Sequence, residues 1–256
     1  RSGAFIPLPG VLDTFLKLPV TERVLQLLID AGVPKRIALD DRRRYLKSYA
    51  TTVLGFREDF FSRLIENMKI QMGKSQSRVS DFDDASMERI VKGCENEIHN
   101  ALLNLETIAN TPLEGPDWQS RLLNNLNPLR ETKGHQAQFH THTLFGMNYQ
   151  QFKELILQNT AESKNKVETL LYDLRKRFEQ WTAVTRYYDG DEFEILLLAV
   201  SEIAQSWNSY RAQEVLEKKG ISKDWGTPVT IQRMVHGNRP NSMAFVGQTH
   251  DLMTGT

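Results

Sequence analysis

Three acidic side chains close around one glycine in Tyr188-Asp189-Gly190-Asp191-Glu192-Phe193, and carboxylates grouped this tightly are the oxygen donors that hard divalent cations take. Asp191 and Glu192 form the adjacent pair that metal-assisted chemistry on phosphate needs, and Gly190 lacks a Cβ where a backbone would have to approach a ligand. Other candidate groups are more scattered. Glu95 and His99 stand four residues apart, and His140 and His142 two apart; the first spacing suits one face of a helix, the second one face of a strand. Either pair could ligate a metal, and either could equally be a solvated surface pair. Arg42-Arg43-Arg44 could meet phosphate or simply line the wet face of a helix. The single cysteine, Cys94, excludes an internal disulfide and, with no Cys or His partners at close spacing, a structural zinc site. It suits a reducing, cytoplasmic compartment.

The elements that must position the acidic turn follow from the patterning around it. Residues 182–188 and 192–200 are β-prone runs on either side, which predicts a hairpin with Asp189, Asp191 and Glu192 at its tip. Upstream, 139–147 is another β-prone run, 149–157 a helix, and Val167, Leu170, Leu171, Leu174 and Phe178 mark the inward stripe of a longer helix. Downstream come a helix over 203–219, closed by Gly220, and a strand over 229–235. Strand, helices, hairpin, helix, strand is an α+β order: a sheet covered on one face by helices.

The N-terminal half is helical by its periodicity. Short helices broken at Pro19 lead to one long helix running from about Asp40 to Met68. Asp83 and Asp84 then start a helix in which Met87, Val91, Cys94, Ile98, Ala101, Leu105 and Ile108 alternate steps of four and three, the a/d seam of a coiled coil or of one helix in a bundle. Pro112, Gly115 and Pro116 stop it. These breaks divide the chain into a helical module over 1–80, a signalling helix over 81–110 that could serve as a coiled-coil stalk, and a third region over 111–256.

Over 256 residues, Lys plus Arg and Asp plus Glu balance at 32 each, so no global field draws the chain toward a nucleic-acid polymer or an acidic lipid surface. An apolar fraction of 40% supports sizeable cores. The longest apolar run, 195–200, is far too short to span a membrane.

The third region resembles the GGDEF domain of diguanylate cyclases. Tyr188-Asp189-Gly190-Asp191-Glu192-Phe193 differs from that family's Tyr-Gly-Gly-Asp-Glu-Phe mainly at Asp189. Phe152-Lys153 falls where the family carries Phe-Lys after its first strand, and Pro228-Val229-Thr230-Ile231 looks like the strand after its third helix. Leu113 and Gly115 keep part of the Asp-x-Leu-Thr-Gly segment that opens the domain.

The resemblance implies a palm-like, ferredoxin-like domain with an antiparallel-rich sheet, condensing GTP into cyclic di-GMP with Mg2+. Asp191 and Glu192 would then be the catalytic and metal-binding carboxylates, with Asn148 at the third metal position; Gly190, Asp189 and Asn165 would lie against the nucleotide. Several positions depart from the pattern. Asn148 is neutral where the family has an aspartate, Ile156 cannot hydrogen-bond a base, and Asp189 brings charge and a Cβ to the phosphate side. The resulting expectation is a cytoplasmic, homodimeric cyclic di-GMP-type signalling protein, its helical sensor coupled to a degenerate GGDEF domain that regulates or binds GTP or cyclic di-GMP. The alternatives are an active diguanylate cyclase with altered ligands and a non-enzymatic helical interaction protein.

Overall fold

The computed structural model describes residues 12, 14–17, 19–131, 137–183, 188–233, 237 and 242. Thr21 opens the first helix, α1 (Glu22–Asp30), by accepting a hydrogen bond from the Val24 amide at 3.2 Å. Gly32, at φ +82°, turns the chain into α2 (Lys35–Thr52), whose Ala38, Tyr45, Leu46, Tyr49 and Ala50 are wholly buried. The long helix expected to reach Met68 is instead broken. Gly55 sits at φ +75°, where any other residue is strained, and a Cβ there would stand 3.3 Å from the side chains of Thr143 and Leu144. The extended residue that follows, Phe56, pairs with Phe139 in an isolated antiparallel bridge before α3 (Glu58–Gln71) begins.

Asp83 caps α4 (Asp84–Ala109), its carboxylate accepting from the Ser86 amide at 2.7 Å. The a/d seam from Met87 to Ile108 is buried to 4% exposure or less, and α2, α3, α5 (Trp118–Asn125) and α8 (Ala161–Ala183) supply its partners from within the chain. Each seam side chain of leucine size contributes about 1.5–3 kcal/mol by leaving water. The seam is thus that of a bundle helix; the coiled-coil stalk and the homodimer it was expected to drive have no support here.

Beyond α5 the sheet expected over 111–256 is absent: among the described residues there is no strand, only helices and isolated bridging. Residues 141–145 form the short helix α6 (Thr141–Phe145), closed by Gly146 in the left-handed conformation. His140 precedes it and His142 lies within it, so the strand alternation that would have aligned the two imidazoles does not exist. Next comes α7 (Tyr149–Leu157), followed by α8, with Val167, Leu171, Leu174 and Phe178 inward as their spacing predicts. Of the expected strand 182–188, Thr182 belongs to α8, Tyr188 to a turn, and 184–187 lie outside the described residues. The expected strand 229–235 is described to 233, in no strand.

The second arm of the expected hairpin is a helix, α9 (Glu192–Gln205). Asp191 accepts from the amides of Phe193 and Glu194 at 3.0 Å each, and Glu192 and Glu194 place negative charge in the first turn, where the helix dipole favours it. Ile195, Leu198, Ala199 and Ile203 are buried at helical spacing. A short apolar run bounded by a turn fits a buried strand or a buried helix equally well by periodicity, and here the cap and the fourteen-residue length decide for the helix. After a single 3-10 turn, α10 (Tyr210–Lys218) packs Leu216 with Trp207 and Ile221 in a small satellite core. The main core is continuous from Phe15 to Ile203.

Candidate functional site

Among the side chains that meet the acidic turn, one sits on the apolar face of its helix. In α2, Ala38, Arg42, Tyr45 and Tyr49 share a stripe at helical spacing, so the guanidinium of Arg42 is carried into the interior, with 2% of the side chain exposed. Its Nε and Nη2 donate to Oε1 of Glu95 on α4 at 2.9 and 2.6 Å. Nη1 donates to the Val20 carbonyl at 2.7 Å and to Oδ1 of Asp189 at 3.2 Å. A carboxylate oxygen of Glu22 lies 3.8 Å from Nε, and the Tyr188 ring centroid is 5.9 Å from the guanidinium carbon. One planar fork therefore joins the lead-in to α1, the body of α4 and the turn before α9.

The remaining groups of the turn are equally engaged. Asp189 Oδ1 also accepts from the Glu22 amide at 2.6 Å, and the Tyr188 carbonyl accepts from the buried Tyr45 hydroxyl at 2.7 Å. Glu192 accepts from Thr21 Oγ1 at 2.7 Å and from Nε and Nη2 of Arg23 at 3.0 and 2.6 Å. Asp191 Oδ1 serves as the helix cap. Gly190 makes the bend between the two acidic positions.

These contacts set the ionisation of the site. Burial opposes the charged form of Arg42, but Glu95 and Asp189 outweigh it and hold the guanidinium protonated. The hydrogen bonds from Arg23 and Thr21 bring the Glu192 carboxyl down to about 2. Burial, more than any neighbour, pushes the Tyr188 and Tyr45 phenols up. Carboxylates committed to guanidinium, hydroxyl and amide donors have little left for a cation. Among the described residues no group of three or more His, Cys, Asp or Glu side chains is placed to hold a metal ion. The donor set does not fit Mg2+.

The other candidate positions lie on separate helices. Asn148 caps α7 in a reciprocal box with Gln151, and Asn165 sits in the first turns of α8, its carbonyl accepting from the Thr169 hydroxyl at 3.0 Å. Ile156 is fully buried. Glu95 and His99 lie four apart on α4, as their spacing predicts, and Glu95 Oε1 accepts from Arg42.

The triplet at 42–44, taken as a possible phosphate contact or a wet face, divides two ways. Arg42 is buried, Arg43 and Arg44 both bond Asp40 at 2.7 and 2.9 Å, and Asp41 pairs with Lys17 at 3.0 Å. Thr21 and Arg23 were not candidates from the sequence, and Arg42 was one only as a phosphate contact or part of a wet face. The available signal was positional: Arg42 falls on the stripe of Ala38, Tyr45 and Tyr49, where a cation has to find partners.

No family model matches this chain, and no solved structure matches it. Over its full 256 residues the chain is 35% identical to the pyruvate, phosphate dikinase of Rickettsia conorii, covering 20% of that protein. It is 22% identical over 256 residues to the enzyme of the same name from Rhizobium meliloti, covering 19% of it. Over 91 residues, 36% of this chain, it is 44% identical to the Rickettsia prowazekii pyruvate, phosphate dikinase. The chain thus spans about a fifth or less of the curated relatives it matches. The relatives are named pyruvate, phosphate dikinase, and among the described residues there is no strand to build a palm sheet. Together these overturn the GGDEF resemblance, and with it the diguanylate cyclase activity and the cyclic di-GMP signalling role; the nucleotide partners that it implied are left without support. No helix among the described residues is long and apolar enough to cross a membrane.

Proposed function

We infer that this chain does the work of the corresponding part of a pyruvate, phosphate dikinase, a kinase whose name gives pyruvate and phosphate as its substrates. The observation that carries this is the 35% identity to the Rickettsia conorii enzyme over the full length of the chain. The geometry supports a scaffolding share in that work. Phosphoryl transfer is catalysed by cations and dipoles aimed at developing negative charge. In the described cluster Arg42 and Arg23 are already neutralised by Glu95, Asp189 and Glu192. What the cluster does supply is rigidity, since a single buried guanidinium fixes α1, α2, α4 and the start of α9 to one another.

The test is a chimera in which this chain replaces the matching region of the Rickettsia conorii dikinase. Turnover that depends on both pyruvate and phosphate, and that stays within about tenfold of the parent, roughly 1.4 kcal/mol of barrier, is the expected result. A chimera that folds, with a cooperative melt, yet consumes neither substrate would overturn the assignment.

A further inference from the structure

α9 carries two apolar faces. Ile195, Leu198 and Ala199 pack into the core, whereas Leu196 and Val200, on the adjoining face, line a cavity of about 590 Å³. Phe15 and Leu28 form the opposite wall, and residues 229–233 run along one side. At roughly 30 Å³ per molecule the space would hold on the order of 20 waters. Its size falls among ligand pockets of roughly 300–1,000 Å³.

The polar groups on the wall are Thr14, Thr230 and Gln232 together with the charged Lys17, Asp41 and Arg233. Lys17 Nζ lies 3.0 Å from Asp41 Oδ1, with side chains only 11% and 2% exposed, and Arg233 stands exposed on the same lining. Among the described lining residues, two cations to one carboxylate give a net positive wall. Lys17 is also held at φ +64°, a left-handed conformation uncommon for a residue with a side chain, and such backbone strain concentrates where ligands are gripped. Cavity, buried charge and strained backbone coincide at one place.

We propose that this cavity is a binding site for a small amphiphile with an apolar body and a single anionic head, the body lying against Leu196 and Val200 and the head toward Lys17 and Arg233. The site adjoins the Arg42 cluster at Val20 and does not depend on the dikinase assignment. Displacement of bound 1-anilinonaphthalene-8-sulfonate by decanoate, decanol and decyltrimethylammonium, each below its micelle concentration, tests it. Decanoate is expected to bind on the order of tenfold more tightly than decyltrimethylammonium, with decanol between them, since like charge is penalised and opposite charge favoured at a partly buried site.

Val200→Trp, which fills the cavity, should abolish displacement by all three. Arg233→Glu changes an exposed side chain and so leaves folding intact; it should weaken decanoate by about fivefold or more and leave decanol unchanged. Equal binding of the three amphiphiles, failure of all of them to bind, or decanoate binding untouched by Arg233→Glu would each overturn the proposal.

Discussion

Replacing Arg42 by methionine keeps the apolar stem of the side chain and removes the fork that holds four segments together. The loss strands Glu95 and leaves the Val20 carbonyl and Asp189 without their guanidinium donor, while Asp189 retains the Glu22 amide. Removing one member of a buried ion pair costs about 3–5 kcal/mol, because the partner remains desolvated and unpaired. Glu95 is 23% exposed and Asp189 37%, so both recover some hydration, which favours the lower end of that range. Taking about 3 kcal/mol and roughly 2–4 °C per kcal/mol for a chain of this size, the midpoint of thermal unfolding should fall by about 10 °C.

The control is the double variant Arg42→Met with Glu95→Leu, in which the stranded carboxylate is replaced by a side chain that can use the apolar stem. It should regain at least half of the loss, as apolar replacements of buried ion pairs commonly do. Arg42→Lys should fall between, since one ammonium cannot reach Glu95, Val20 and Asp189 in the directions the planar fork serves. Scanning calorimetry of the four proteins at one pH is sufficient. A midpoint for Arg42→Met within about 2 °C of the parent, or a double variant less stable than the single one, would refute the claim that this guanidinium is what locks the turn to α2 and α4.

Acid should release Glu192 from Arg23 and Thr21 only at the acid extreme. Its carboxyl lies at about 2 in the folded protein and in the ordinary carboxylate range when unfolded, so its contribution is complete above that range and disappears as pH falls toward about 2. Glu192→Gln should therefore lower the melting midpoint at pH 6 and have no effect near pH 2; a difference that persists unchanged to the acid limit contradicts the pairing with Arg23. Cys94, fully within the α4 seam and pushed up to about 12 by burial, should be inert to Ellman's reagent in the native protein and react at once in guanidinium chloride. Rapid labelling of the folded chain would show that the seam opens.

Much of the helical half was legible because its signals are local and redundant. The α4 seam repeats over seven positions between two clear stops, and α7 carries both halves of its capping box, so spacing alone located each helix. The break between α2 and α3 was not legible, since Phe56 and Phe60 continue the apolar rhythm across Gly55. Only the close approach of Thr143 and Leu144, distant in sequence, shows why the chain must turn there.

The acidic turn failed differently. Asp-Gly-Asp-Glu before an apolar run satisfies the letters of a hairpin tip, yet the same aspartate is also a strong N-cap and the same glutamates suit a helix start. Two apolar faces on α9, one for the core and one for the cavity, erased the polar face whose period would have identified the helix. Nor could the sequence alone pair Asp189 with Arg42, 147 positions earlier, because an ion pair carries no periodic trace of its partner. The turn that looked like the donor set of a metal site is instead engaged by Arg23, Arg42 and Thr21, all N-terminal to it. Carboxylates clustered in sequence become a metal site only where the fold brings no cations of its own to meet them, and here it brings two.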